Sequence, residues 1–156
     1  WPPALIVGGL IGDVGRYLLS GSLVIGLGLL MGFRPAGGVA GVVAAMGLVL
    51  AFAFALSWVW TSIGLVARTP QAVSVLSFLV QFPLTFVSNA FVDPATMPDW
   101  LRTVVDANPV SHLVTAERHL MAGTAELGDV VPVLVAAALV TAVFAPLTMH
   151  LYRRRA

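Results

Sequence analysis

The chain has 156 residues, 59% of them hydrophobic, and only eight basic and seven acidic side chains. Soluble domains carry about 25% charged residues to clothe their surface in water; at 10% this chain reads as a protein solvated mostly by lipid. The absence of cysteine excludes disulfides and thiolate metal sites. All eight basic residues are arginine, so a G-x-x-x-x-G-K-[ST] phosphate loop is excluded too, and a net charge of +1 is too small and scattered for nucleic acid.

Residues 1–16 open in apolar sequence, from Trp1 to Gly12, with no basic n-region and no small-residue cleavage site. They do not read as a signal peptide. The start at Trp1 reads as a truncation, with residues 1–16 a cytoplasmic or interfacial lead-in.

A hydrocarbon core of about 30 Å needs about 20 helical residues, and a charge at its centre costs roughly 2.5–3.5 kcal/mol. Charge-free gaps therefore mark the spans. Four gaps qualify: Tyr17 to Phe33, Pro35 to Ala67, Thr69 to Val92 and Val130 to Tyr152. They predict an all-α polytopic membrane protein with spans at about 17–33, 39–63, 70–91 and 130–151. The polar stretch 93–129 forms an external helical loop. Arg16, Arg68 and Arg153 to Arg155 fall at alternate ends of these spans, whereas Arg34, Arg102 and Arg118 are diluted by six acids in the long loop. The positive-inside rule then puts both ends of the segment in the cytoplasm.

The second span carries small residues at fourfold spacing, Gly37, Gly41 and Ala45 and again Gly47, Ala51 and Ala55. Such spacing lets helices approach closely in lipid, and packing within one subunit is favoured over a seam between subunits. Trp58 and Trp60 read as interfacial anchors.

In the third span Gln71, Ser74, Ser77, Gln81, Thr85 and Ser88 follow at steps of three or four residues. At 100° per residue they share one face. A polar stripe along a membrane helix faces protein or water rather than lipid. It serves either interhelical hydrogen bonding or the wall of a transport path, and Ser74, Ser77, Gln81, Thr85 and Ser88 are the path candidates. Pro83 removes a backbone hydrogen bond within this span and predicts a kink.

The external loop is patterned. Thr96, Pro98 and Asp99 predict a helix with a hydroxyl N-cap, a first-turn proline and an early acid. Asn108-Pro109 caps a second helix that ends at Gly123 as a C′ glycine. Both helices are short and amphipathic, so they lie at the outer interface or dip back into it. His112 and His119 are seven residues apart, about 10 Å along a helix, too far to share a metal. Glu117 and His119 lack a placed nucleophile, so no catalytic set emerges. His150 marks the inner interface.

The runs Phe82-Pro83-Leu84-Thr85-Phe86-Val87-Ser88-Asn89-Ala90-Phe91-Val92, Met97-Pro98-Asp99-Trp100-Leu101 and Asn108-Pro109-Val110-Ser111-His112 resemble the type-2 ABC exporter permeases. The nearest likeness is to their daunorubicin-resistance-like actinobacterial branch. Gly64 to Pro70 looks like that family's inner turn between its fourth and fifth spans. The resemblance covers roughly 12–155 and makes the four spans the last four of six. It implies a plasma-membrane permease subunit that pairs with a second permease, as homo- or heterodimer, and with separate ABC ATPase subunits. The family exports lipophilic drugs, complex lipids or polysaccharides. ATP and Mg would then belong to the ATPase partner, leaving this chain without cofactor, metal or catalytic residue, in contact with membrane lipids and substrate. Asp13, Arg16 and Arg68 are the ATPase-facing candidates. The competing readings are an ion-gradient-driven secondary transporter and a non-catalytic membrane scaffold. The first normally needs an ionisable group at mid-membrane, which none of the four gaps contains.

Overall fold

The computed structural model describes residues 2–67, 69–91 and 94–153, with side chains for all of these except 2–11, 13 and 94. The elements are α1 (Pro2–Leu30), α2 (Gly38–Val66), α3 (Pro70–Phe86), a 3-10 turn (Pro94–Thr96), α4 (Asp99–Ala107), α5 (Pro109–Ala122) and α6 (Leu127–Arg153). No strand occurs among the described residues, as the apolar, charge-poor sequence requires.

Two helices, α2 with 29 residues and α6 with 27, are long and apolar enough to cross a membrane. At 1.5 Å per residue they measure about 43 and 40 Å, so their ends project beyond a hydrocarbon core. Two shorter apolar helices accompany them, Val14–Leu30 within α1 and the whole of α3. α1 runs unbroken from Pro2 through Arg16, so the lead-in and the first expected span share one helix. Nothing between Gly12 and Tyr17 stops a helix; charge marks a change of solvent, not of backbone. The chain leaves α1 where Gly32 takes a φ of 95°, a value that glycine adopts without steric cost.

The core forms where α2, α5 and α6 meet. Leu48, Phe52 and Ala55, at helical steps of four and three, bury one face of α2 against Ala116 of α5 and Val133 and Ala137 of α6. Toward the far end of both long helices the Ser62 and Thr148 hydroxyls lie 2.7 Å apart, buried, with the Trp58 carbonyl also within reach of Thr148. Late α2 thus meets late α6, and the two run parallel. Each hydroxyl also has a carbonyl of its own helix, Trp58 for Ser62 and Phe144 for Thr148. Losing the cross-helix bond therefore strands no group. Thr148→Val is expected to cost only about 1 kcal/mol, readable as a small drop in thermal midpoint of the purified protein.

By contrast, α3 buries none of its residues, and α1 leaves Leu19, Leu23, Val24, Leu27 and Leu30 uncovered. Among the described residues, the hydrophobic core cluster thus comes from α2, α5 and α6 alone. Trp58 is half-covered, edge-on to Phe54, with its indole Nε1 sheltered from solvent and unbonded. This is a more enclosed place than an interfacial anchor requires.

Candidate functional site

Small residues of α2 decide where α5 sits. Gly37 N donates to Met121 O at 2.9 Å, and a Cβ on Gly37 or Gly41 would run into the Leu120 carbonyl oxygen. Only a bare backbone admits that approach. Gly123 ends α5 in the left-handed region at φ 73° and meets the Gly37 backbone. Val110 and Leu113, at the other end of α5, lie against the core with Leu48, Phe52 and Ala55. Hence α5 runs antiparallel to α2. Its 14 residues span about 21 Å, which sets Asn108 about half-way along α2. α5 therefore lies alongside the first half of α2 and not beyond its end. The second small-residue set divides: Ala55 is in the core, whereas Gly47 and Ala51 face open space.

The opposite face of α5 grips the end of α3. A helix end leaves up to four carbonyls without partners, and burying them unpaired is costly. Asn108 Nδ2 donates to Leu84 O at 2.9 Å and also to Val87 O. Its Oδ1 accepts from Val110 N at 2.9 Å, so one side chain caps the start of α5 and the end of α3 together. Ser111 Oγ accepts from Asn89 N at 3.3 Å, and Thr115 Oγ1 from Asn89 Nδ2 at 2.8 Å. Arg118 Nη2 donates to Asn89 O at 3.1 Å and Ala90 O at 3.5 Å. Residues 108, 111, 115 and 118 form one stripe by the same three-and-four spacing seen in α3. In the sequence Asn108 reads as a cap alone, and the three-and-four spacing of Ser111, Thr115 and Arg118 from it is the signal that marks the stripe.

This clamp explains two departures from expectation. The third span was expected to reach about 91, but α3 stops at Phe86. The carbonyls that would continue it are taken by Asn108 and by Ser88 Oγ, which donates to Thr85 O at 2.6 Å. The helix after the turn starts at Asp99 with Pro98 at its N-cap, not from Thr96, which lies in the 3-10 turn. Pro98 has a ψ of 149°, and proline disfavours helical backbone in the residue before it, Met97.

The expected site residues separate into groups. Gln71, Ser74 and Gln81 are exposed and Ser77 and Thr85 are half-covered, all on the face of α3 that no other described helix seals. Ser74 Oγ turns back to Pro70 O at 3.2 Å. Ser88 is fully buried inside the clamp, so it braces the turn and does not line an open path. Beside the stripe, Phe78, Phe82, Phe86 and Phe91 form an exposed ladder with ring centroids 5.2, 4.4 and 5.5 Å apart. At the α2–α3 turn a groove of about 430 Å³ is lined by Gly64, Ala67, Thr69, Pro70 and Val73. Arg68 lies outside the described residues, as does the side chain of Asp13; Arg16 is exposed on α1.

Charge in the hairpin is unevenly placed. The helix α4 buries Val105 and exposes Asp99, Arg102 and Asp106. His119 Nδ1 sits 2.8 Å from Asp129 Oδ2, which also accepts from Glu126 N, fastening the end of α5 to the start of α6. Glu117 is half-buried, its Oε1 sealed without a hydrogen bond, and desolvation raises its pKa from 4.5 to about 7. No group of three or more metal-ligating side chains occurs among the described residues.

Two long apolar helices packed against α5, whose other face caps the end of α3, give the frame of a helical membrane protein. Residues 1–122 match the ABC-2 type transporter family model, and the chain belongs to that family. It is 51% identical over 155 residues to the daunorubicin resistance ABC transporter permease protein DrrB1 of Streptomyces coeruleorubidus. The match covers 99% of this chain and 55% of the relative, so the chain spans about half the length of that protein. No solved structure matches it.

Proposed function

We infer that the chain is the membrane-embedded part of an ABC exporter permease that moves a lipophilic substrate outward across the plasma membrane. α1, α3, α2 and α6 act as its four spans, with both ends of the segment cytoplasmic. Energy comes from separate ATPase subunits, which hold ATP and Mg, and a second permease, identical or related, completes the path. The relative's name ties that protein to daunorubicin resistance, which makes a lipophilic drug the first substrate class to test, ahead of a complex lipid.

The observation that carries this reading is the uncovered polar face of α3. A 17-residue apolar helix with no buried residue leaves Gln71, Ser74 and Gln81 unsealed, a placement that lipid disfavours and a substrate path or second subunit satisfies. The exposed charges of α4 fit a wet vestibule on the outer side, the only surroundings that tolerate such a face at depth. Arg16, together with Asp13 and Arg68, remains the proposed ATPase-facing set.

Gln81→Leu tests the path directly. Its amide makes no hydrogen bond among the described residues, so its loss is expected to leave folding intact. Transport by the full-length permease with its ATPase is expected to fall roughly three- to tenfold, the worth of one hydrogen bond. The amount of protein inserted in the membrane is expected to stay unchanged. Equal loss of transport and insertion assigns the stripe to packing.

A further inference from the structure

Glu117 is the one acid on the face that α5 turns to the core. It lies one turn from both Leu113 and Leu120, which pack against the α2–α6 core, and beside the seam where Gly37 and Gly41 touch the Leu120 backbone. One of its carboxyl oxygens is sealed there without a donor. We propose that Glu117 is a proton-controlled latch: protonated, it lets the outer half of α5 seat on the glycine seam of α2, and ionised, it drives α5 off that seam.

The surroundings offer an ionised Glu117 no compensation. From Gly38 to Val66, α2 carries no charged or titratable side chain, and neither does α3 from Pro70 to Phe86. On α6, Asp129 is engaged with His119, while His150 and Arg153 stand at the far end. On α5 itself, Arg118 is turned to the Asn89 and Ala90 carbonyls beyond α3 and His119 to Asp129, with His112 about 140° around the helix from Glu117. Asp99, Arg102 and Asp106 of α4 are exposed, and so is Arg34 before Gly37. Burial raises the carboxyl from 4.5 to about 7, so the seated form keeps its proton where an open form has lost it. Seating is fully favoured below about 4.5 and weakens as pH rises through about 7.

The test uses the full-length permease in lipid nanodiscs with a single cysteine at Leu120, read by maleimide labelling. The rate is divided by that of exposed Leu127→Cys, which corrects for the titration of a solvated thiol, and the same ratio in Glu117→Gln corrects for any effect of burial on the Leu120→Cys thiol. Between about pH 5 and about pH 8 the ratio is expected to rise about tenfold or more with Glu117 present, and to stay low and flat in Glu117→Gln. Glu117→Leu, neutral without an amide to satisfy, is expected to match Glu117→Gln. A flat ratio with Glu117 present overturns the latch. So does a Glu117→Gln ratio that still rises with pH, or a ratio that is high at every pH in both neutral variants.

Discussion

Asn108→Ala is expected to destabilise the purified full-length protein by about 3 kcal/mol and to abolish most transport. Two part-buried carbonyls, Leu84 O and Val87 O, lose this donor, at about 1 kcal/mol for each, the low end for a group left unsatisfied. The start of α5 loses its cap, worth about 1 kcal/mol. Hydrogen bonds within membranes average nearer 0.6 kcal/mol, which keeps the sum at the lower end. Asn108→Asp separates the two roles, because a carboxylate still caps α5 but cannot donate to α3. It is expected to be no more stable than Asn108→Ala in thermal unfolding. If aspartate restores the midpoint, the side chain works as a cap alone and the clamp has no energetic weight.

Gly41→Ala is the second large effect. A single methyl there meets the Leu120 carbonyl oxygen, and backbone cannot rotate aside as a side-chain tip can. Relieving that overlap costs about 1–3 kcal/mol by the usual scale of overpacking. It lifts α5 from α2 and disturbs the clamp on its other face. Gly47→Ala is the internal control, since a Cβ there meets open space. It is expected to be neutral or to stabilise the helix by about 0.5–1 kcal/mol. The Gly41→Ala midpoint therefore falls while that of Gly47→Ala holds or rises, and equal shifts refute the distinction between seam and open face.

Much of the helix plan was legible because it rests on local chemistry. A charge-free stretch long enough to span is set by composition alone, so α2 and α6 emerged within a few residues of their bounds. Asn108-Pro109 and Gly123 bracketed α5 because capping and left-handed termination are properties of single residues. The end of α3 was not legible. Nothing in Phe86-Val87-Ser88-Asn89 stops a helix until Asn108 and Ser111, more than twenty residues later, claim its polar groups. Thr96 misled for the converse reason: a good capping residue lost to a proline two positions on. The stripe on α3 was visible, but burial divides it, and Ser88 belongs to the clamp rather than to an open face. In the sequence Glu117 is marked only by the lack of a placed nucleophile beside it. Its burial depends on Gly37 and Gly41, about eighty residues earlier in the chain, being small enough to let α5 in.

The energy source tests the account as a whole. With the full-length permease reconstituted beside its ATPase in sealed vesicles, outward movement of a lipophilic drug is expected to require hydrolysable ATP. It is expected to persist when proton and sodium gradients are collapsed. Movement that ignores ATP and follows either gradient contradicts the account.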